Sequence, residues 1–128
     1  VTIISLGTKD MYPSCKFKAV KAAVKHYASH LRDHKRASVL KCLDILGFSM
    51  GNTLVSFQDK YYEYGGDAVP DNRGLTIGGF ESGFLSDLLV SFLLDKLQFL
   101  FNDTLFHGLY RNDGIVIFNG QRSIADLR

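Results

Sequence analysis

The chain opens on an apolar stretch, residues 1–6, that Gly7-Thr8 and the turn-forming Tyr12-Pro13-Ser14 bring to an end. A short β-branched run bounded in this way predicts a buried strand. Over 16–31 the period becomes helical: Phe17, Val20, Ala23, Val24, Tyr27 and Leu31 fall on one face and Lys18, Lys21, Lys25 and Arg32 on another. Val39, Leu40, Leu43 and Leu46 predict a second, shorter helix over 37–46, with Gly47 placed to stop it. The period then changes again. Leu54, Val55 and Phe57, followed by Gln58-Asp59-Lys60 and by Tyr61, Tyr62 and Tyr64, predict two short strands joined by a turn, and Gly65-Gly66 closes the hairpin.

Residues 67–74, with Pro70, Asp71 and Asn72, read as a loop, and no shift of composition there marks a domain boundary. Leu75-Thr76-Ile77 leads into Gly78-Gly79-Phe80-Glu81-Ser82-Gly83 and then into an apolar helix over 84–101. Ser86, Asp87, Ser91, Asp95, Lys96 and Gln98 make that segment too polar for a bilayer span, so it is a core helix. Tyr110-Arg111-Asn112-Asp113-Gly114, between Leu109 and Ile115-Val116-Ile117-Phe118, predicts a tight hairpin with an acid at its tip. The order β-α-α-β-β-α-β-β implies an α+β domain in which helices back one face of an antiparallel sheet.

At 128 residues the chain has the length of one domain and enough apolar residues to bury a core. Its net charge of +2 demands no nucleic-acid or membrane partner. Cys15 and Cys42 lie far apart with no His or Cys at ligand spacing, which argues against a zinc site or a disulfide framework and for a reducing, intracellular setting. A start without Met inside an apolar strand, with no signal peptide, reads as an excised fragment. The lysine-bearing helix face is most simply a solvated face, although it has the spacing to track a phosphate backbone. The glycine-rich loop permits close approach of a phosphate at a helix start but matches neither a P-loop nor a dinucleotide fingerprint, and Glu81 or Ser82 suits a plain helix cap.

Three of these segments, in their order, resemble the palm of a reverse transcriptase. Ile3-Ile4-Ser5-Leu6-Gly7-Thr8-Lys9-Asp10-Met11-Tyr12-Pro13-Ser14 is similar to motif A, a buried strand leading into Tyr-Pro-Ser and a helix. The hairpin ending Tyr62-Glu63-Tyr64-Gly65, with the glycine loop and long helix that follow, is similar to motif B, and Tyr110 to Asp113 to the Tyr-x-Asp-Asp hairpin of motif C. The detail lies nearest to retroelement enzymes of the Penelope-like kind, and the likeness covers nearly the whole chain.

The resemblance implies an RNA-directed DNA polymerase palm acting on a template-primer and a dNTP through two Mg2+ ions held by carboxylates from neighbouring strands. Carried over by position, the motif A aspartate falls on Gly7 and the first motif C aspartate on Asn112, so only Asp113 is retained. Tyr12 takes the place of the family's steric gate against the ribose 2′-hydroxyl, and Gly78, Gly79 and Ser82 match the nucleotide-handling loop. Asp10 is the nearest substitute acid, but alternation along an extended strand sends it to the opposite sheet face from position 7; Glu81 sits in a loop that handles nucleotide rather than metal. With fingers and thumb absent, the resemblance implies an inactive site as it stands. An alternative of another class is a non-catalytic domain that keeps the palm and binds nucleic acid or protein through Lys18, Lys21, Lys25 and Arg32. An RNA-dependent RNA polymerase palm shares the metal logic but not the gate at Tyr12.

Overall fold

The predicted order of strands and helices holds, with one added helical turn: β1 (Thr2–Gly7), α1 (Met11–Ser14), α2 (Phe17–Ala28), α3 (Asp33–Gly51), β2 (Leu54–Phe57), β3 (Lys60–Glu63), α4 (Ser82–Leu97), β4 (Thr104–Tyr110) and β5 (Asp113–Phe118). The computed structural model describes residues 1–66 and 68–121, so Asp67, the first residue of the predicted loop, lies outside the described residues. Short 3-10 turns occupy Pro70–Asn72 and Gln98–Phe101. The domain is α+β, with an antiparallel sheet in the order β1-β5-β4 and a separate β2-β3 hairpin.

The two faces of the sheet differ because partners in an antiparallel ladder share a face. Ile4 opposite Val116 and Thr2 opposite Phe118 define an inner face, on which Ile4, Val116 and Phe118 are buried against Phe101. Ile3, Ser5 and Gly7, opposite Ile117, Ile115 and Asp113, define the other, where Ile3 and Ile115 are exposed. A second, larger core lies among the helices: Phe17, Val20 and Ala23 of α2 meet Met50 of α3 and Leu85, Leu89 and Phe92 of α4, with Met11, Cys15 and Leu75 beside them.

The helix boundaries depart from the predicted ones: α3 begins at Asp33 rather than 37, α4 spans Ser82–Leu97 rather than 84–101, and two further ends differ. Gly47 does not stop α3, which runs on to Gly51. A Cβ at position 47 would come within 3.0 Å of the Phe17 ring, so this glycine marks close helix approach rather than a cap. Helix α2 ends at Ala28 instead of near Leu31, and there the Arg36 side chain donates to the carbonyls of Ala28, Ser29 and Leu31 at 3.3, 3.3 and 3.0 Å. A guanidinium on the last carbonyls of a helix satisfies acceptors that the helix itself leaves open. Arg32 consequently sits at the start of α3, off the lysine-bearing face of α2.

The loop between β3 and α4 is organised by a buried arginine. Arg73 donates to the carbonyls of Ala68 at 3.0 Å, Gly66 at 3.2 Å and Gly51, and pairs with Glu63 at 2.8 Å. Replacing Arg73 with Met is expected to cost about 3 kcal/mol or more, since three carbonyls and a carboxylate lose a charged donor together. Arg73→Lys should recover only part of that, because an ammonium cannot span the same fork. Urea denaturation of both variants measures it.

Helices α2 and α4 are also tied by the Tyr27 hydroxyl, which donates to Asp95 at 2.9 Å. Lost solvation and the Asp95 carboxylate hold the phenol above its ordinary 10.0. A raised acid stabilises the folded state below its unfolded value and loses that contribution as pH rises through the folded one. An alkaline decline in melting temperature beginning above pH 10 is therefore expected, and Tyr27→Phe should remove that component.

Candidate nucleotide and metal site

Pairing of β1 with β5 puts Gly7 directly opposite Asp113, and the Thr8 amide donates to the Asn112 carbonyl at 2.8 Å. The three positions that correspond to the aspartates of the resemblance thus converge at one end of the sheet. Tyr110 ends β4, and Arg111, in the turn just before Asn112 and Asp113, takes a left-handed φ of 55°. Beside this end lies a cleft of about 580 Å³ lined by Asp10, Met11, Tyr12, Pro13, Ile77, Arg111 and Asn112.

Asp10 corrects one expectation. The strand stops at Gly7, and Asp10 lies in a turn with a left-handed φ of 50°, so alternation along β1 does not reach it. The turn brings it to the same cleft as Asn112 and Tyr12. Tyr12 is further held by its carbonyl, which accepts from Leu75 at 3.0 Å, while Gly74 lies so close to Pro13 that a Cβ there would overlap the Pro13 carbonyl.

The glycine loop stands apart from this lining. Gly78 has φ +89°, a conformation that side chains disfavour, and a Cβ on Gly79 would meet the hydroxyls of Thr76 and Ser82 at 2.5 Å each. Both glycines have a local structural cause. Ser82 is buried, and its hydroxyl has no hydrogen-bond partner among the described residues. Glu81 occupies the cap position of α4 without a capping bond and borders a different, apolar groove with Val24, Leu43 and Phe84. It does not line the cleft beside Gly7 and Asn112.

On the lysine-bearing helix, Lys18 and Lys25 are exposed, but Lys21 pairs with Asp71 at 3.1 Å and lies over the Phe17 ring. With Arg32 on another element, the basic stripe is shorter than the periodicity of the chain implies. Cys15 is buried, and burial pushes its thiol upward, which opposes a reactive thiolate. Among the described residues no group of three His, Cys, Asp or Glu side chains is placed to hold a metal ion, and no helix is long and apolar enough to cross a membrane.

One side chain at the site escaped the sequence reading. Arg111 donates to the Gly83 carbonyl at 3.1 Å and to Asp87 at 3.0 Å, binding the hairpin tip to the first turns of α4. Gly83 leaves room for it, since a Cβ there would meet the guanidinium at 3.0 Å. The Gly83-to-Asp87 spacing, one helical turn, was the only signal. No protein-family model matches the chain, and no curated protein matches it.

Arg111→Ala should lower global stability by no more than about 1 kcal/mol, because the pair is half exposed. Its local effect should be larger: amide exchange at Asn112 and Gly114 should accelerate while that of α2 does not. Hydrogen exchange read by mass spectrometry or NMR separates the two.

Proposed function

We propose that the chain is a reverse-transcriptase-like palm, related to the RNA-directed DNA polymerases of retroelements, whose metal site has decayed so that it is inactive as it stands. The observation that carries this reading is the register that sets Gly7 opposite Asp113, with Asn112 bonded to Thr8. Further support comes from the cleft that gathers Asp10, Tyr12 and Asn112 at the same end of the sheet. On this reading the ancestral partners are a template-primer and a dNTP, and Tyr12 borders the pocket for the sugar.

The residues present do not fit a Mg2+ pair. Asp113 is the one carboxylate left at the three carried-over positions, Asp10 is supplied by a turn outside the sheet, and glycine and a neutral amide occupy the rest. Two divalent ions need several shared carboxylates to balance their charge. Nucleotidyl transfer is therefore not assigned to this chain.

Restoring the acids tests the proposal. Gly7 has no positive φ and open space where a Cβ would stand, so aspartate enters without backbone strain. Directly opposed residues on an antiparallel pair hold their Cβ atoms about 5 Å apart, close enough to share an ion. Gly7→Asp with Asn112→Asp should raise Mn2+ affinity by more than the product of the two single effects, read by water-proton relaxation. A double variant that keeps its circular dichroism and melting temperature, yet binds Mn2+ no better than the parent, would overturn it.

A further inference from the structure

Away from the cleft, the end of α2 brings two imidazoles together. His26 and His30 are four residues apart, both are exposed, and their ring centroids lie 5.3 Å from each other with the planes at 84°. Two imidazoles on one tetrahedral cation require a similar separation: about 2 Å of metal–nitrogen bond and about 1 Å of ring radius on each side, opened by the tetrahedral angle, give about 5 Å. The His26 ring is held in place by contact with Phe92 at 5.0 Å and Tyr27 at 5.2 Å, and Tyr27 is itself anchored on Asp95.

The ligand type decides which cation fits. Lys96 lies 4.4 Å over the Phe92 ring, Lys25 is in the last turn of α2 and Arg36 reaches that end from α3, whereas Asp95 is the acid on the facing helix. Mg2+ and Ca2+ are held by oxygen ligands, which this pair does not supply, whereas imidazole nitrogen suits Cu2+, Ni2+ or Zn2+. We propose that His26 and His30 form a two-imidazole site for a divalent transition-metal ion, with water completing its shell.

Titration calorimetry of the untagged protein with Ni2+ tests this. One ion per chain is expected, and His26→Gln or His30→Gln should each weaken binding by about tenfold or more, because each removes half of the protein ligands. His34→Gln, on α3, should leave it unchanged. Histidine ring-proton NMR provides the second measurement, with Ni2+ broadening at low occupancy confined among the four histidines to His26 and His30. Binding that does not saturate, that survives both substitutions, or that falls equally with His34→Gln would overturn the proposal.

Discussion

The guanidinium of Arg73 is the interaction on which the arrangement of this domain turns. It is almost wholly buried, and it collects the end of α3, strand β3 and the glycine turn into one charged hydrogen-bonded knot. Burying such a group is costly unless its donors are all engaged, so the knot forms as a unit or not at all. The backbone on either side of it inherits the constraint. The Arg73 carbonyl accepts from Phe17 at the start of α2, and Leu75 donates to Tyr12, so the strand of chain through Gly74 is sewn to α1 and α2. The wall of the cleft at Tyr12 is thereby set by a residue far from it in sequence.

The sheet answers to a different anchor. Its buried residues form a cluster separate from the helical core, with Phe101, in the 3-10 turn after α4, packed against them. Arg111 makes the polar connection, from the hairpin tip to Gly83 and Asp87. One helix therefore controls the sheet from both ends, through a charged contact at its first turns and an apolar one just past its last. The end of the sheet that carries Gly7, Asn112 and Asp113 lies next to the charged contact, so its position depends on the weaker of the two anchors.

What could be read from sequence follows the range of the forces involved. Strand and helix order, the Gln58-Asp59 turn and the hairpin at Arg111-Asn112 are written in local periodicity and turn chemistry, and they appear where the pattern puts them. The pairing of β1 with the hairpin was legible only through the resemblance, because nothing local in residues 1–7 specifies a partner a hundred residues away. Gly47 shows the opposite failure. A glycine after an apolar helical run suits a cap, and only the packing of Phe17 explains why it lies inside a longer helix. Arg36 and Arg73 were both invisible as structural residues, since a charged side chain in a polar stretch gives no sign that it will bind carbonyls brought to it by the fold. Asp10 was misplaced by a strand that ends three residues earlier than the alternation argument assumed.

On the proposed reading, the loss of the carboxylates has a physical side independent of catalysis. Aspartates at positions 7 and 113, facing each other across an antiparallel pair, would repel unless a cation or a proton lay between them. Glycine at 7 avoids that repulsion, and asparagine at 112 spares a further negative charge while its backbone carbonyl still accepts from Thr8. The sheet then closes without help from a divalent ion. Its ladder, the buried Ile4–Val116–Phe118 face and the Arg111 tie are all formed by groups that owe nothing to metal. Fold and chemistry are separable here because position 7 stands on the open face of the sheet and position 112 in the exposed hairpin turn, where the absence of an acid costs no packing and relieves charge.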